Sequence, residues 1–339
     1  MNAPAIEPPV STTSPDEPLL RLDEVTKTYR VPLPGRFITR HADLRAVDGV
    51  SLELRRGETF GLVGESGSGK STLGRLAVRL ERPSAGRIEF DGQDITNTSG
   101  EALRRRREAM QVVFQDPLGS LNPRMTVAEI VGEPIVVFRN LRGRELRQRV
   151  EEILTAVGLD ASRSDALPRA LSGGQRQRVG IARAIALNPK LVLADEAVSA
   201  LDVSVQAQIV NLFVELRERL GLTYLFIAHG LPIVRQVATR VGVMYMGRLV
   251  EVGTRSEVFD EPTHPYTRAL IGSAPVTDPA HRRDRVVLGG EPPSLLETIT
   301  GCRFRTRCPM AEDVCVEHAP PAIDVGHGHV AECHFAGRR

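Results

Sequence analysis

Apolar and polar positions alternate in patterns that predict several strands and helices. Residues 19–31 alternate apolar and polar side chains, as in a half-buried strand, and residues 46–54 predict a second strand after a loop over residues 32–43. Residues 58–64 form a short apolar run, whereas residues 71–80 carry apolar side chains at helical spacing. The first part of the chain therefore predicts a β-rich layer, followed by a strand, a loop and a helix.

The pattern changes in the middle of the chain. Two helices are predicted, at residues 125–138 and 144–157, and strand patterns return at residues 190–194, 223–228 and 241–246. This alternation predicts an α/β fold with a mostly parallel sheet, an antiparallel β subdomain, a helical insert and a small C-terminal subdomain. The domain boundaries that we expect are a lead at residues 1–18, a main domain at 19–255 with the insert at 116–170, and an extension at 256–339.

Composition excludes several classes of protein. The 339-residue chain has a formal charge of only +2, which gives little attraction for nucleic acid. It has no run of 18 apolar residues, so we expect no membrane-spanning helix. Residues 2–18 are rich in proline, serine and threonine and lack the basic and apolar regions of a signal peptide. We therefore expect a disordered lead and a protein that stays in the cytoplasm.

A glycine-rich stretch, GESGSGKS at residues 64–71, predicts a phosphate-binding loop. In the form G-x-x-x-x-G-K-S, backbone N–H groups surround phosphate oxygens, the lysine reaches the β and γ phosphates, and the hydroxyl reaches Mg²⁺. The predicted strand before it and helix after it place the loop at a helix N-terminus, which favours an anion. We expect an NTPase core of the P-loop type whose ATP-binding residues are Gly64, Ser66, Gly67, Gly69, Lys70, Ser71 and Thr72.

A pair of carboxylates, Asp195 and Glu196, follows the apolar run at residues 191–194. Ligands of open α/β sheets bind at such strand ends. Asp195 would help to hold Mg²⁺ through its water shell, and Glu196 would polarise the water that attacks the γ phosphate. Such a pair is a weak signal by itself, since structural capping is an alternative, but it gains weight from its position after the other motifs.

The pentapeptide LSGGQ at residues 171–175 precedes a predicted helix at residues 176–187, and Ser172 can cap that helix. A simple capped helix is the alternative. The pentapeptide matches the signature of ATP-binding-cassette ATPases, and the motifs around it resemble that family in the same order. The resemblance implies that the signature of one subunit closes over ATP held by another, so the chain would work in a dimer. The signature contacts would come from Ser172, Gly173, Gly174 and Gln175.

The same resemblance implies roles for four further residues. Gln115 resembles the glutamine that contacts Mg²⁺ and the attacking water, and Asp202 belongs to a loop that touches the opposite subunit. His229 resembles the histidine that grips the γ phosphate. Tyr29 is similar to the aromatic residue that stacks on adenine, with an ordinary strand aromatic as the alternative. Mg²⁺ would be held by Ser71, Gln115 and Asp195.

Three longer segments resemble the ATPase subunits of bacterial dipeptide and oligopeptide importers, and the F-type subunit in particular: residues 114–124, 199–208 and 264–270. That resemblance implies a second, D-type ATPase as partner, two membrane permeases and an extracytoplasmic binding protein, with no nucleic acid. It places the chain peripherally on the cytoplasmic face of the inner membrane. Nickel, glutathione and sugar importers remain alternatives, as do a soluble cassette ATPase acting on DNA or ribosomes and a regulatory subunit that hydrolyses ATP poorly.

The chain departs from the family pattern at two positions, where Ala197 replaces a proline and Gly230 replaces an aspartate. Ala197 should have a mild effect. Gly230 removes a side chain that could help to fix the loop and adds backbone freedom beside His229, so we expect slower hydrolysis or the weaker role in an asymmetric pair.

The four cysteines of the chain lie in its last 40 residues, at Cys302, Cys308, Cys315 and Cys333. Their spacing, C-x5-C-x6-C-x17-C, differs from the paired C-x2-C of common zinc sites. Similar four-cysteine tails occur in the importer subfamily, and four thiolates can hold a [4Fe–4S] cluster. Zinc and metal-free or redox-sensitive thiols stay open as alternatives.

Overall fold

The computed structural model of the protein divides into two compact units. The structure describes residues 17–33, 40–116, 119–273, 293, 296 and 299–337. The described residues of the first unit fall within 17–20, 53–59 and 90–228, and those of the second fall within 21–52, 60–89 and 229–337. Each element below is assigned to the unit that holds most of it. The expected lead at residues 1–18 lies almost wholly outside the described residues.

Three parallel strands form the centre of the first unit. They are β6 (Met110–Val113), β7 (Leu191–Asp195) and β8 (Thr223–Ile227), with β7 in the middle. Every residue of β7 and β8 is buried, as expected for parallel strands that are covered on both faces. The helices of this unit are α2 (Gly100–Glu108), α3 (Val127–Arg139), α4 (Gly143–Ala156), α5 (Gly173–Ile185) and α6 (Val203–Leu220). The short strand β5 (Gln93–Asp94) also lies here.

The second unit contains two groups of strands. In the first group, β1 (Leu20–Leu33) lies between β2 (Arg40–Leu54) and β4 (Ala85–Phe90). The second group has the order β11-β12-β10-β9-β3 and consists of β3 (Thr59–Val63), β9 (Arg240–Tyr245), β10 (Arg248–Thr254), β11 (Ala322–Asp324) and β12 (Val330–Glu332). Strands β3 and β9 are parallel, and the other neighbours are antiparallel. The helices are α1 (Lys70–Ala77), α7 (Leu231–Val237), α8 (Arg255–Asp260), α9 (Pro265–Ser273) and α10 (Asp313–Glu317).

The C-terminal extension joins the sheet of the second unit, which the sequence did not predict. Strand β12 pairs with β10, with Ala331 opposite Glu251, and β11 pairs with β12. The Glu251 carboxylate is completely buried, accepts the backbone N–H groups of Thr263 and His264, and lies 2.7 Å from Nε2 of His329. A buried carboxylate with this many partners ties the extension to β10.

Several predicted element boundaries are corrected by one to six residues. Strand β2 begins at Arg40 and not at residue 46, so the connection from β1 is much shorter than the predicted loop at 32–43; residues 34–39 lie outside the described part. Helix α1 ends at Ala77 and not at residue 80, because Arg79 adopts a left-handed conformation with φ of 55°. Helix α5 begins at Gly173 and not at residue 176.

No helix in the described ranges combines the length and the apolar character needed to cross a bilayer.

Candidate nucleotide site

The predicted phosphate loop connects β3 to α1 in the second unit, as the sequence predicts. Gly69 has φ of 101°, and a Cβ atom there would lie 2.2 Å from the carbonyl oxygen of Ala46. Gly64 has φ of 151°, and its Cβ would lie 2.1 Å from the carbonyl oxygen of Met244. Both positions therefore require glycine for its backbone conformation and for the close approach of a second chain segment.

Lys70 is the first residue of α1, and its ammonium group turns back toward the loop. Its Nζ donates to the carbonyl oxygens of Gly64 and Glu65, both at 2.8 Å, and lies 3.4 Å from Oγ of Ser68. Only 3% of Lys70 is exposed. Gly69 provides no side-chain cap for α1. The positive end of the helix dipole and the positive charge of Lys70 both face the loop. This arrangement suits an anion such as a nucleotide phosphate.

The remaining loop residues differ in exposure. Ser66 and Gly67 are exposed, whereas Ser71 and Thr72, in the first turn of α1, are half-buried. Hydroxyl oxygen is a donor type that Mg²⁺ accepts, as are the oxygens of Gln115 and Asp195. The donor chemistry of all three residues that were predicted to hold Mg²⁺ therefore fits the ion.

Tyr29, the predicted adenine contact, lies in β1 and belongs to the same unit as the phosphate loop. Its hydroxyl donates to Glu81, and Nζ of Lys27 lies 5.0 Å from the centre of its ring. Burial, together with the nearby Glu81 carboxylate, raises the pKa of Tyr29. The phenol is therefore neutral at physiological pH, and its ring is held in place by a residue, Glu81, that no sequence motif identified.

The predicted acidic pair ends strand β7 in the first unit. Asp195 is the last strand residue and Glu196 the next, and both are buried. Glu196 has φ of 51°, a left-handed conformation that is unfavourable for a residue with a side chain. Its backbone is held by an N–H bond to the carbonyl of Ile227 at 2.9 Å and by two bonds that its own carbonyl accepts from Ser199. The strained backbone fixes the direction in which the side chain leaves the strand end.

The signature pentapeptide forms the N-terminus of α5, also in the first unit. The Ser172 hydroxyl accepts the Gln175 N–H at 3.3 Å, and the Gln175 side chain accepts the Ser172 N–H at 3.0 Å. This capping box confirms the predicted cap by Ser172. A Cβ at Gly174 would lie 2.6 Å from Val205 of α6, so Gly174 permits close helix packing. Ser172 and Gly173 remain exposed at the surface.

Three more predicted residues lie next to the ends of strands or helices. Gln115 lies two residues after β6 and Asp202 immediately before α6, both in the first unit and both exposed. His229, in the second unit, is exposed and precedes Gly230, the N-cap residue of α7. Gly230 has φ of −82°, which any residue adopts, so this position does not use the extra backbone freedom of glycine.

The predicted residues thus fall into two sets. The second unit holds the phosphate loop, Tyr29 and His229, and the first unit holds Gln115, the signature, the acidic pair and Asp202.

The four cysteines are free thiols in the second unit. Burial raises the pKa of Cys302 to about 11, and the other three sulfur atoms contribute to the increase. Burial likewise raises the pKa of Cys308 and of Cys333. The Phe335 N–H points at Sγ of Cys333, at 3.4 Å. Within the ranges that the structure describes, no three His, Cys, Asp or Glu side chains are grouped so as to hold one metal ion.

Two family models match the chain. Residues 47–199 match the ABC transporter model, and residues 250–315 match the model of the C-terminal region of oligopeptide/dipeptide transporters.

Curated relatives match over nearly their whole length. The oligopeptide transport ATP-binding protein AppF of Bacillus subtilis (strain 168) is 49% identical over 96% of this chain and 99% of its own. The probable peptide ABC transporter ATP-binding protein y4tS of Sinorhizobium fredii (strain NBRC 101917 / NGR234) is 47% identical over 93% of this chain and 89% of its own.

Solved structures are similar in fold. A dimeric post-hydrolysis state of the ATP-binding cassette MJ0796, bound to ADP and Pi, has a TM-score of 0.62 and 31% identity over 70% of this chain and 98% of its own. The structure of cbiO1 from Clostridium perfringens, part of the transporter complex cbiONQ, has a TM-score of 0.62 and 31% identity, covering 73% and 92% of the two chains.

Proposed function

We propose, from the premise that this chain belongs to the ABC transporter ATPases, that it energises the import of dipeptides or oligopeptides through a membrane permease complex. The chain is an ATP hydrolase of the ABC type. The cargo proposal rests on one observation: residues 47–199 match the ABC transporter model, and residues 250–315 of the same chain match the C-terminal region of oligopeptide/dipeptide transporters. Two relatives that match this chain over nearly its full length have names that refer to peptide transport, which supports the same cargo.

The predicted residues of the nucleotide site receive the following roles in this proposal, in which Asp202 would contact the opposite subunit. The phosphate loop and Lys70 would bind the ATP phosphates, and Tyr29 would stack on adenine. Glu196 would act as the general base that polarises the attacking water, and His229 would contact the γ phosphate. Gln115 would contact Mg²⁺ and the attacking water. The signature residues Ser172, Gly173, Gly174 and Gln175 would contact a nucleotide that another subunit holds. Ser172 and Gly173 are exposed, and Gly174 and Gln175 are half-buried.

The proposed complex contains further chains. We infer a second, related ATPase of the D type, two integral permeases and an extracytoplasmic binding protein that delivers the peptide. The chain would then lie on the cytoplasmic face of the membrane and would never contact the cargo itself. ATP binding would favour a closed ATPase dimer, and hydrolysis would release it.

Two cofactor assignments belong to the same proposal. Mg²⁺ would be held by Ser71, Gln115 and Asp195, whose oxygen donors suit a hard cation.

For the four thiols we propose a [4Fe–4S] cluster, in which each thiolate binds a different iron and no single point of convergence is needed. The Cys302 N–H donates to the carbonyl oxygen of Cys315 at 2.8 Å, which places these two cysteines next to each other. An anaerobic preparation should contain about four irons per chain and absorb visible light. One equivalent of zinc, or no metal at all, would contradict this assignment.

Uptake by intact cells tests the cargo. A strain that lacks this chain should not accumulate labelled dipeptides or oligopeptides, and the wild-type chain should restore uptake. Glu196→Gln should not restore it, whereas Glu215→Gln, at an exposed carboxylate of α6, should. If the strain loses nickel or glutathione uptake but takes up peptides normally, the cargo is that solute and not a peptide. If the chain is recovered with DNA or ribosomes and without membrane subunits, the transporter role is refuted.

A further inference from the structure

Glu65, the residue after the first glycine of the phosphate loop, is held by an arginine from the C-terminal extension. Arg307 donates from Nη1 to Oε2 of Glu65 at 2.8 Å and from Nη2 to Oε1 at 2.9 Å. The Arg307 side chain is only 5% exposed. A bidentate bond between a buried guanidinium and a carboxylate is among the strongest side-chain contacts in proteins, because both hydrogen bonds carry charge.

The backbone of Glu65 is fixed as well. Its N–H donates to the hydroxyl oxygen of Tyr266, in α9, at 2.8 Å. Tyr266 is fully buried and packs against Tyr245 and Phe304, with ring centres 4.6 Å and 5.5 Å away. Phe304 lies between Cys302 and Cys308 in the sequence, as Arg307 does. Glu65 therefore contacts the extension through both its main chain and its side chain.

Glu65 also contacts Lys70, whose ammonium group is proposed to bind phosphate. The carbonyl oxygen of Glu65 accepts a hydrogen bond from Nζ of Lys70, and Glu65 directly follows Gly64, whose backbone conformation is set by close contact with β9. Arg307 and Lys70 therefore both bond to Glu65: Arg307 to its carboxylate and Lys70 to its carbonyl oxygen. A shift of Glu65 by an ångström would therefore displace the lysine and the loop N–H groups together.

We propose that Arg307 and Tyr266 are positioning residues for the phosphate loop: by fixing Glu65, they preorganise the loop and Lys70 for the nucleotide. The inference rests on the proposed binding of ATP phosphates by this loop. It assigns to the C-terminal extension a part in nucleotide affinity. In this proposal both residues influence nucleotide binding through Glu65 and not by direct contact with the nucleotide.

The test is the Kd of Mg–ATP for the full chain, measured by titration calorimetry. Arg307→Met should weaken binding roughly tenfold, and Tyr266→Phe, which removes one oxygen atom, should weaken it about threefold. Arg305→Met is the matched control. Arg305 lies in the same turn, but it bonds to the carbonyls of Thr300 and Cys302 and should leave Kd within about twofold of wild type.

A double-variant cycle separates positioning from general destabilisation. If Arg307 acts through Glu65, then Glu65→Gln combined with Arg307→Met should bind ATP no more weakly than the worse single variant. Losses that simply add would overturn the proposal. Arg307→Lys, which keeps the charge and one hydrogen bond, should recover part of the affinity.

Lys70→Ala distinguishes this inference from the proposed function. Unchanged ATP binding by Lys70→Ala would refute the proposed role of the loop itself. Lost binding in Lys70→Ala together with wild-type Kd values in Arg307→Met and Tyr266→Phe would overturn only the positioning role. Should Arg307→Met fail to fold, Tyr266→Phe carries the test, because it changes no charge and little volume.

Discussion

Single residues in the nucleotide motifs adopt backbone conformations that most residues avoid. Gly64 and Gly69 have positive φ and close backbone neighbours, and Glu196 has φ of 51° despite its side chain. The left-handed conformation costs about 1–2 kcal/mol for a residue with a Cβ atom. At Glu196 this cost is offset by the surrounding hydrogen bonds. Strain of this kind is frequent at functional sites, which is consistent with the role proposed for Glu196.

Replacing Gly69 tests the steric argument. Gly69→Ala should lower stability by about 2–4 kcal/mol, because strain from φ adds to a clash of the new Cβ with the carbonyl of Ala46. Gly67→Ala is the matched control in the same loop. Gly67 also has positive φ, but its Cβ would have no atom within 4 Å, so the loss should be only about 1 kcal/mol. Thermal unfolding without nucleotide provides the comparison, and equal midpoints for the two variants would refute the clash.

The phosphate loop, the acidic pair and the signature could be predicted as candidate site residues from the sequence because their motifs are local. The sequence could not identify Glu81 as the partner of Tyr29, or Arg307 as the partner of Glu65. Arg307 lies 242 positions after Glu65, and no local pattern marks one arginine among 41 as its partner. Contacts of this kind depend on tertiary packing and become visible only in the structure.

At the scale of elements, capping boxes begin some of the described helices. Ser172 with Gln175 begins α5, and Thr126 with Glu129 begins α3. The sequence predicted both helices, and the structure moves the start of α5 back to Gly173. That correction has a clear cause: two glycines have low helix propensity, so the apolar spacing alone placed the start too late, while the cap decides the true position.

The two boxes provide a matched pair of variants. Ser172→Ala and Thr126→Ala should each cost about 1 kcal/mol of stability, since each removes one cap. Only Ser172→Ala should also reduce the ATPase rate of the assembled complex, by roughly tenfold, because only Ser172 is proposed to contact nucleotide on the partner subunit. Equal ATPase rates for the two variants would show that Ser172 is merely a cap.

The bond between Glu251 and His329 predicts how the attachment of the extension depends on pH. The hydrogen bond to Glu251 raises the pKa of His329, whereas burial lowers the pKa of His264 to about 4 and keeps that ring neutral above pH 6. Because the folded pKa of His329 exceeds its unfolded value of about 6.5, its contribution is complete below that pH. It is lost as the pH rises through the folded value.

Thermal unfolding across pH checks this sign. The difference in midpoint between wild type and His329→Gln should be largest below pH 6.5 and should decrease as the pH rises through the raised pKa of folded His329. A difference that grows with pH would contradict the assignment.

At the scale of the whole molecule, the sequence predicted the fold class and the family correctly, since the alternation of elements and the order of motifs are sequence properties. It did not predict that the extension supplies strands β11 and β12 to the sheet of the second unit. Both strands have only three residues, too few for a periodic pattern, and β12 pairs with a strand about 80 positions earlier. Short, distant pairings are therefore invisible to pattern analysis.

The most direct test of the account is single-turnover ATP hydrolysis by the purified complex that contains this chain. With a wild-type partner ATPase held constant, Glu196→Gln should bind Mg–ATP with nearly wild-type Kd, while phosphate release at its site slows by about 100-fold or more, because the general base is lost. Lys70→Ala should lose binding. Hydrolysis by Glu196→Gln at the wild-type rate, or full ATP binding by Lys70→Ala, would contradict the central claim that this chain binds and hydrolyses ATP with these residues.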